Sequence, residues 1–465
     1  MTNHFRIKKG LNIKIKGEAE KIILQDYIPD LFAISPSDFL GFNPKLEVEI
    51  GDIVKQGDSI CHDKNYPEIK LTSPINGEII EINRGEKRCL NEIIIKKIDN
   101  GNPKLFNIPN SENINENTVK DCLLKSGTWL YLKQRPFGTI ANPNISPRDI
   151  FISFFDSSPL AADYDFTLQN KSAEINAALK KISLLSKNKL KLVFKENSIL
   201  YNFIEEKNSY DIYFFNGPHP AGLPGTHINK IAPINKGEFV WTVNASDLPI
   251  IGNLFLNKQF YPERIFALCG SEINNPAYYK TLSNAILENI LKEKVTNDNC
   301  RYISGNVLTG KNVSKYRYLN FFDNIFTVIP EGNNDNDIFG WLTPGFNKFS
   351  NNKAFIPNHL KFIKALTSLF NKNSENKDDY RITTNIHGGQ RAFIVSGEYE
   401  KVCPLNIYPQ LLIKSAIAKD IEKLEQLGIY EVLEEDLALC EFVCTSKINA
   451  QEIIRNIFVT ILNDK

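Results

Sequence analysis

The sequence predicts a multidomain α/β protein, and three observations carry that prediction. A chain of 465 residues is too long for a single hydrophobic core, so about two to four domains are expected from length alone. Residues 44–98 alternate apolar and polar side chains at period two between Gly and Pro turns, which indicates short β-strands. From about residue 101 to residue 259, apolar runs typical of buried strands alternate with amphipathic helical stretches, as in parallel α/β sheets.

Composition indicates which kinds of partner and which compartment are expected. The chain has 55 basic and 54 acidic residues, for a net charge of +1, so it offers no electrostatic field for nucleic acid or anionic lipid. The N-terminus lacks an apolar signal segment and no apolar stretch is long enough to span a bilayer, so we expect a cytoplasmic protein without a transmembrane helix. The eight cysteines are expected to be free thiols in that compartment. A partner must therefore be recognised by shape and apolar contact, and nucleic acid is not expected.

Residues 1–100 are predicted to form an N-terminal β region. Within it, "VEIGDIVKQG" (48–57) and "SPINGEI" (73–79) resemble the two halves of the barrel-sandwich hybrid of biotinyl and lipoyl carrier domains. In true carriers a modified Lys lies at the tip of the hairpin between these halves, and here Lys64 is available. The modification needs an exposed two-residue turn, whereas the strand before Lys64 is short and Pro67 follows it. A structural module is favoured, and a biotinyl or lipoyl carrier stays an alternative.

Residues 101–259 are predicted to form a Rossmann-like α/β domain. A helical period over 119–132 ends near Gly127, and a second amphipathic helix is predicted over 171–187. Buried-strand runs are predicted at 149–157, 189–194 and 210–215. Strands that alternate with helices favour a parallel sheet.

The rest of the chain is predicted to contain three further segments. Residues 260–315 read as strand, turn, helix, strand and turn, which suits a small β-grasp domain of the SLBB type. Residues 316–390 are predicted to be a mixed connecting region, in which the pattern does not predict the order of strands and helices. Residues 391–465 are predicted to form a helical domain, because "LNIYPQLLIKSAIAKDIEKLEQLGIY" and "NAQEIIRNIFVTILND" have helical periodicity.

The Gly- and Pro-rich stretch "NGPHPAGLPGTHI" (216–228) contains His219 and His227. A phosphate cradle needs consecutive inward-facing backbone N–H groups, and the three prolines of the stretch have none to donate. A metal site would need further ligands, and the whole chain has only six histidines. The stretch is therefore interpreted as a rigid, Pro-braced connection that could still line a pocket.

Motifs for catalysis are absent from the sequence. It contains no Ser-His-Asp, G-x-S-x-G, H-E-x-x-H or Walker pattern. The carboxylates of Glu434, Glu435 and Asp436 are interpreted as the solvated start of a helix, where the helix dipole favours negative charge. General acid–base chemistry is therefore not predicted, and no catalytic residue or metal site is assigned.

Two stretches outline the bacterial ferredoxin run C-x2-C-x2-C-x3-C-P, whose thiolates hold iron–sulfur clusters. Counting back from Cys403 in "YEKVCP" and from Cys444 in "LALCEFVC" gives the positions of the expected ligands. They are Phe393, Ser396, Tyr399 and Cys403 in the first run, and Glu434, Leu437, Cys440 and Cys444 in the second. Most of the thiolates are missing, and Phe, Leu and Tyr cannot replace them as soft ligands. We predict a ferredoxin-remnant domain without a cluster, in which the cysteines are buried as small apolar side chains.

These units, in this order, resemble one family. The stretches that carry the resemblance are "IKKGLNIKIKG" (7–17), "DKNYPEIKLTSPINGEIIEINRGEKRCL" (63–90), "QRPFGTI" (134–140), "SSPLAAD" (157–163), "GPHPAGLPGTHI" (217–228), "ISGNVLTG" (303–310), "FGWLTPG" (339–345), "YEKVCPL" (399–405) and "EEDLALCEFVC" (434–444). Over essentially its whole length the chain resembles the A subunits of the bacterial sodium-translocating NADH:quinone reductases (Nqr). That family is in turn similar to the C subunit of Rnf electron-transport complexes and to the flavin-carrying subunit of respiratory complex I.

The resemblance implies a place in a translocase complex that passes electrons from NADH through flavins and iron to ubiquinone and exports Na⁺. It implies a peripheral subunit on the cytoplasmic face of the bacterial inner membrane, partnered above all by the membrane-embedded subunits and not catalytic alone. In the relatives that bind FMN, a G-G-x-G-F-P loop lets the backbone approach the phosphate. Here the corresponding stretch is "YLKQRPFGTI" (131–140), whose bulky side chains would fill that volume. Neither flavin nor an iron–sulfur cluster is therefore expected in this subunit, nor any covalently bound cofactor.

Ubiquinone is the one ligand that the resemblance leaves open for this subunit. A quinone site needs an apolar slot and one or two donors to the carbonyl oxygens. The candidate residues are Phe39, Phe42, Tyr131, Lys133, Arg135, Phe137, His219 and His227. The alternative from another functional class is an Rnf-type soluble electron carrier with flavin or iron–sulfur clusters, which metal and sulfide analysis would distinguish.

Overall fold

The computed structural model describes residues 3–86, 89–99, 101–109, 114–333 and 379–463. Its strands are β1 (His4–Arg6), β2 (Glu20–Asp26), β3 (Leu31–Ile34), β4 (Pro44–Leu46), β5 (Ile53–Val54), β6 (Ser59–Asp63), β7 (Lys70–Thr72), β8 (Gly77–Arg84), β9 (Leu90–Lys97), β10 (Lys133–Arg135), β11 (Thr139–Ile140), β12 (Asp149–Phe154), β13 (Lys191–Lys195), β14 (Asp211–Asn216), β15 (Val240–Asn244), β16 (Glu263–Cys269), β17 (Ala277–Leu282), β18 (Cys300–Ser304), β19 (Lys311–Asn312) and β20 (Ile325–Pro330).

Among the described residues, six α-helices lie within residues 116–294 and five lie within residues 398–463. They are α1 (Glu116–Ser126), α2 (Tyr164–Thr167), α3 (Ser172–Ile182), α4 (Pro224–Ile231), α5 (Leu248–Asn257), α6 (Glu288–Lys294), α7 (Glu398–Val402), α8 (Pro409–Ile417), α9 (Ile421–Gln426), α10 (Glu434–Val443) and α11 (Ala450–Asn463). The helix predicted to end near Gly127 is confirmed, and Gly127 adopts a φ of 78° after its last turn.

Two small antiparallel sheets form the β unit predicted over residues 44–98. One sheet has the order β3-β9-β8-β5 and the other β4-β6-β7. Ile60, Leu71, Ile93, Ile94 and Ile95 are buried in this unit, so β9 buries three consecutive side chains rather than strictly alternate ones. Lys64 is exposed in the turn after β6.

A seven-stranded sheet with the order β1-β14-β13-β12-β15-β10-β11 forms the α/β unit. The strands from β1 to β15 in this order are parallel. Ile152 and Leu192 belong to the core shared with α3 and α5, whereas Phe151 and Val193 pack in a separate cluster with α4. Burial on both faces explains why these strands are mostly apolar rather than alternating. The chain order reverses between β12 and β15, the type of crevice in which open α/β sheets bind ligands.

A six-stranded sheet with the order β19-β18-β20-β16-β17-β2 follows. Its strand β20 lies in the region that the sequence pattern did not order, and β2 comes from the N-terminal segment. The start of the chain is therefore shared between sheets, since β1 pairs with β14 and β2 pairs with β17. The predicted domain boundaries stay predictions, and most of the connecting region, 334–378, lies outside the described residues.

The helices α7–α11 have a hydrophobic core of their own, which includes Leu412, Leu424, Leu437, Ile454 and Phe458. The helical periodicity predicted for these stretches is confirmed. Side chains from outside the C-terminal helices also join this core, and they determine how the helices meet the α/β unit.

Candidate functional site

An aromatic cluster joins three stretches that lie far apart in the sequence. We define it as Phe39, Phe42, Tyr131, Phe321 and Phe322. The ring of Tyr131 stacks on Phe321 with centroids 4.6 Å apart, and Phe39 meets Phe321 edge-on at 4.9 Å. Phe39 also contacts Phe42 at 5.9 Å and Phe322 at 5.4 Å. The predicted candidates Phe39, Phe42 and Tyr131 are thus brought together, in geometries that aromatic pairs prefer.

Lys133 lies at the exposed side of the aromatic cluster. Its Nζ is 3.9 Å from the ring centroid of Phe322, a cation–π contact, and its side chain remains exposed. Next to Phe322 in the chain, the Asp323 carboxylate accepts a hydrogen bond of 2.7 Å from Ser304 Oγ. Burial raises the pKa of Asp323, and the charges of Lys133 and Arg264 oppose that rise. Lys133 therefore brings an accessible ammonium to the aromatic cluster.

Arg264 closes the inner side of the aromatic cluster. Its guanidinium carbon is 5.5 Å from the ring centroid of Tyr131, and its Nη2 donates to the Phe321 carbonyl at 2.8 Å. Its Nη1 lies 2.6 Å from Asp247, which follows the carboxyl end of β15. Arg264 and Asp247 are both buried. A buried ion pair therefore lies just past the carboxyl end of β15, one of the two strands between which the chain order reverses.

Arg135 lies in a second environment, against the C-terminal helices. Its Nη1 is 2.8 Å from Asp436 and its Nη2 is 2.6 Å from Glu435. Asp436 also accepts a hydrogen bond from the Leu433 backbone at 2.9 Å. A Cβ at Gly225 would overlap both carboxylate oxygens of Asp436, so only glycine allows this approach of α4 to α10. A buried ion pair thus joins the α/β unit to the C-terminal helices.

This geometry corrects the interpretation of Glu434, Glu435 and Asp436 as a solvated helix start. Asp436 is buried, and Glu434 is mostly buried 2.6 Å from Arg455. Burial raises the pKa of both carboxyl groups, and neighbouring arginines oppose the rise. The prediction failed because an acidic helix start is usually exposed, and the sequence carries no sign that Arg135 approaches from a distant strand.

Phe137 belongs to the same contact. Its ring lies edge-on to Tyr430 at 6.1 Å and to Phe458 at 5.4 Å, within the core of the C-terminal helices. Its backbone has a φ of 81°, uncommon for a residue with a side chain. Lys133 and Arg135 lie two residues apart on the same face of a strand, about 7 Å apart by strand geometry. The sequence predicted that all four candidate side chains of the stretch 131–140 line one quinone slot. In the structure Tyr131 and Lys133 lie at the aromatic cluster, whereas Arg135 and Phe137 pack against the C-terminal helices.

The two histidines lie beside the second environment rather than in the aromatic cluster. Nδ1 of His219 is 3.1 Å from Ser157 Oγ, and Nε2 of His227 is 2.8 Å from the Ala221 carbonyl. Burial lowers the pKa of His219 to about 4 and that of His227 to about 3. Both rings are therefore neutral near pH 7. The stretch interpreted as a connection also contains the start of α4, because Pro224 suits the first helical turn.

In the ferredoxin outline, a cysteine of the first run contacts a cysteine of the second run. A hydrogen bond from Cys440 lowers the pKa of Cys403, so these two thiols are in contact across the two runs. Burial raises the pKa of Tyr399, and a hydrogen bond to Cys444 adds to that rise. The ring of Tyr399 also lies 5.7 Å from Phe393. Among the described residues, no group of three or more His, Cys, Asp or Glu side chains could hold a metal ion.

Sequence reasoning missed three residues of the site. Phe321 and Phe322 complete the aromatic cluster, and Arg264 fixes its inner side. The adjacent Phe pair in "YLNFFDN" was the available signal, but it lies in the region that the pattern did not order. Arg264 carries no local signal, because an arginine at the start of a strand is usually exposed.

Comparisons with known proteins cover most of the chain. Residues 5–98 match the NqrA N-terminal barrel-sandwich hybrid domain, residues 114–260 the NqrA second alpha/beta domain, and residues 265–315 the NQRA C-terminal domain, an SLBB model. The chain is 32% identical to the A subunit of the Na(+)-translocating NADH-quinone reductase of Vibrio vulnificus over 98% of both chains. It is 33% identical to the proteins of the same name from Neisseria meningitidis and Serratia proteamaculans, over 98% of this chain and 99% of each relative.

These matches confirm the predicted barrel-sandwich hybrid and SLBB-type units. Within the described part of the chain, no helix is long and apolar enough to cross a membrane.

Proposed function

Because the chain belongs to the NqrA family, the A subunits of the Na⁺-translocating NADH-quinone reductases, we propose that it contacts ubiquinone through the aromatic cluster and Lys133. The chain is thus one subunit of an oxidoreductase complex that couples quinone reduction by NADH to Na⁺ translocation. We further propose that it is peripheral, on the cytoplasmic face of the membrane, and binds the membrane-embedded subunits. Its near-neutral charge supports docking by shape and apolar contact rather than by attraction to lipid.

The observation that carries the quinone proposal is that aromatic side chains from three distant stretches pack together next to the exposed ammonium of Lys133. A quinone ring needs a flat apolar surface and a donor to a carbonyl oxygen. Phe322 is partly exposed and lies within 3.9 Å of Lys133 Nζ, so ring surface and donor are adjacent. Phe39 and Tyr131 contact Phe322 edge-on at 5.4 Å and 6.2 Å, and Phe42 packs against Phe39.

The other four candidate residues are assigned a different part in this proposal. Arg135 and Phe137 are buried against the C-terminal helices, His219 is buried shortly before α4 and His227 is buried within α4. None of these four side chains is exposed enough to receive a ring from solvent. We propose that these four residues hold the C-terminal helices against the α/β unit, and that quinone contacts the aromatic cluster instead.

A photoreactive quinone analogue tests this assignment on the full chain. We expect adducts to map to residues 31–44, 131–140 and the Phe321–Phe322 pair, and to decrease when unlabelled ubiquinone competes. Lys133→Met is expected to reduce labelling about tenfold, because it removes one charge-assisted hydrogen bond worth about 1.5 kcal/mol. Lys104→Met is the matched control, since Lys104 also lies over an aromatic ring, that of Phe106, at 5.7 Å. Labelling confined to other regions, or unchanged by Lys133→Met, would refute the site.

We also propose that the subunit holds neither flavin nor an iron–sulfur cluster. The residues present do not fit flavin, since the stretch 131–140 has bulky side chains where the FMN-binding relatives have a Gly-rich loop. They do not fit an iron–sulfur cluster either, since the ferredoxin positions lack most thiolates. Purified full-length protein is expected to contain no stoichiometric flavin, iron or sulfide. Stoichiometric iron with sulfide would instead favour an Rnf-type electron carrier. An intact mass with an added biotinyl or lipoyl group on Lys64 would favour the carrier alternative.

The finer fold assignments belong to the same proposal. We propose that the seven-stranded unit is Rossmann-like, which its run of parallel strands supports. We propose that α7–α11 descend from a two-cluster ferredoxin. In such ferredoxins the last cysteine of each run ligates the other cluster, and the contact of Cys403 with Cys440 follows that crosswise pattern.

A further inference from the structure

We propose that the outer edge of β2 binds an extended, basic and aliphatic segment of a membrane-embedded subunit, which adds to the six-stranded sheet as a further strand. This inference rests on the proposed function only in its choice of partner. The surface itself is defined by Glu20–Asp26, the residues of β2, together with Ile28.

The first observation is the position of β2 in its sheet. It is the last strand in the order and pairs in parallel with β17, and no strand of the described residues lies on its other side. It is held firmly in place. Tyr27 donates its backbone N–H to Lys280 at 2.7 Å, Glu20 donates to Pro276 at 2.9 Å, and Lys21 forms an ion pair with Asp163. A fixed edge strand presents a row of free backbone groups that another strand can bind.

The second observation is the exposure of its apolar side chains. Every residue of β2 is exposed, including Ile22 at 53%, Ile23 at 39% and Leu24 at 47%. Side chains alternate along a strand, so Ile22 and Leu24 lie on one face and Ile23 on the other. A helix or a flat surface would cover only one of these faces. A strand paired alongside β2 places side chains next to all three, because cross-strand neighbours flank both faces.

The third observation is charge. Residues 18–30 contain the four acidic residues Glu18, Glu20, Asp26 and Asp30 but only one basic residue, Lys21, for a local net charge of −3 in a chain of net charge +1. A second copy of this chain would bring two such segments together, and like charges repel. Cytoplasmic segments of membrane proteins are enriched in Lys and Arg, so they have the complementary charge. Charge thus favours a membrane subunit over a second copy.

Crosslinking from β2 within the assembled complex tests the inference. The full chain would be expressed with the other subunits, carrying the photoreactive amino acid p-benzoylphenylalanine in place of Ile22. We expect the adduct to map to a Lys- and Arg-containing extended segment of a membrane-embedded subunit. The same substitution at Ile53, which is 76% exposed on another sheet, is the matched control and is expected not to label that segment.

Introducing a positive charge on the same strand gives a second measurement. Leu24→Lys is expected to lower copurification of the membrane subunits about tenfold relative to Ile53→Lys, because it places like charges together at the contact. Leu24→Glu keeps the sign of the surface and is expected to have the smaller effect.

Three outcomes would contradict either this inference or the proposed function. An intact complex whose β2 adducts map to a second copy of this chain, or to no partner, overturns this inference and leaves the proposed function standing. Equal copurification of the Leu24→Lys and Ile53→Lys variants also overturns it. Failure of the unmodified chain to copurify with the complex would overturn the proposed function itself.

Discussion

Arg135→Leu is expected to lower the free energy of unfolding of the C-terminal helices by about 3–5 kcal/mol, the usual cost of removing one partner from a buried ion pair. Asp436 would remain buried without its guanidinium, packed against Gly225. Only the Leu433 backbone N–H would still bind the carboxylate oxygen that Arg135 now contacts. Because the chain has several units, the measurement is urea-dependent hydrogen exchange in α10 rather than a single unfolding curve.

Two control variants separate the loss of the ion pair from a general effect of substitution. Lys125→Leu removes the exposed partner of Asp121 on α1, and it is expected to change stability by at most about 0.5 kcal/mol. The double variant Arg135→Leu with Asp436→Leu removes both charges, so it is expected to be less destabilised than the sum of the two single variants. Exchange in α10 that is equal in wild type and Arg135→Leu would show that the ion pair does not hold the C-terminal helices.

The periodic parts of the fold could be predicted from the sequence, because periodicity reports which side of an element is buried. The two-sided burial of Phe151 and Ile152 gives the mostly apolar run of β12, and the core positions Ile454, Ile457 and Ile461 of α11 repeat at helical spacing. β2 gives no such signal because neither of its faces is covered. Its strand character comes from pairing with β17, a contact across more than half of the chain that no local pattern encodes.

The single residues of the candidate site show the same limit, because local patterns in the sequence do not encode contacts between distant residues. The sequence placed Phe39 and Tyr131 in one site, and the structure joins them through Phe321. It could not predict that Arg135, only two residues from Lys133, faces Asp436 instead. Composition indicates which residues can bind an apolar ring or a carboxylate. Only tertiary contacts decide which of these partners each side chain meets.

Acidification from pH 7 to pH 5 is expected to lower the free energy of unfolding by about 4 kcal/mol through His219 and His227 alone. In the unfolded chain a histidine takes up a proton as the pH falls through about 6.5. In the folded chain burial lowers the pKa of these two residues to about 4 and about 3, so both stay neutral at pH 5. The unfolded state therefore binds more protons, and each histidine costs about 2 kcal/mol at pH 5.

His219→Asn and His227→Gln test this dependence, because each amide can replace one ring hydrogen bond without titrating. Each variant is expected to lose about 2 kcal/mol of the difference in stability between pH 7 and pH 5, whatever its stability at pH 7. Phe215→Leu is the matched control, since Phe215 packs 4.6 Å from the ring of His227 and does not titrate. Burial raises the pKa of Asp436, so protonation of that carboxyl group favours the folded state on acidification and works against the histidines. The difference between each variant and the wild type cancels that contribution, and an unchanged pH dependence in both variants would show that the histidines are not the groups responsible.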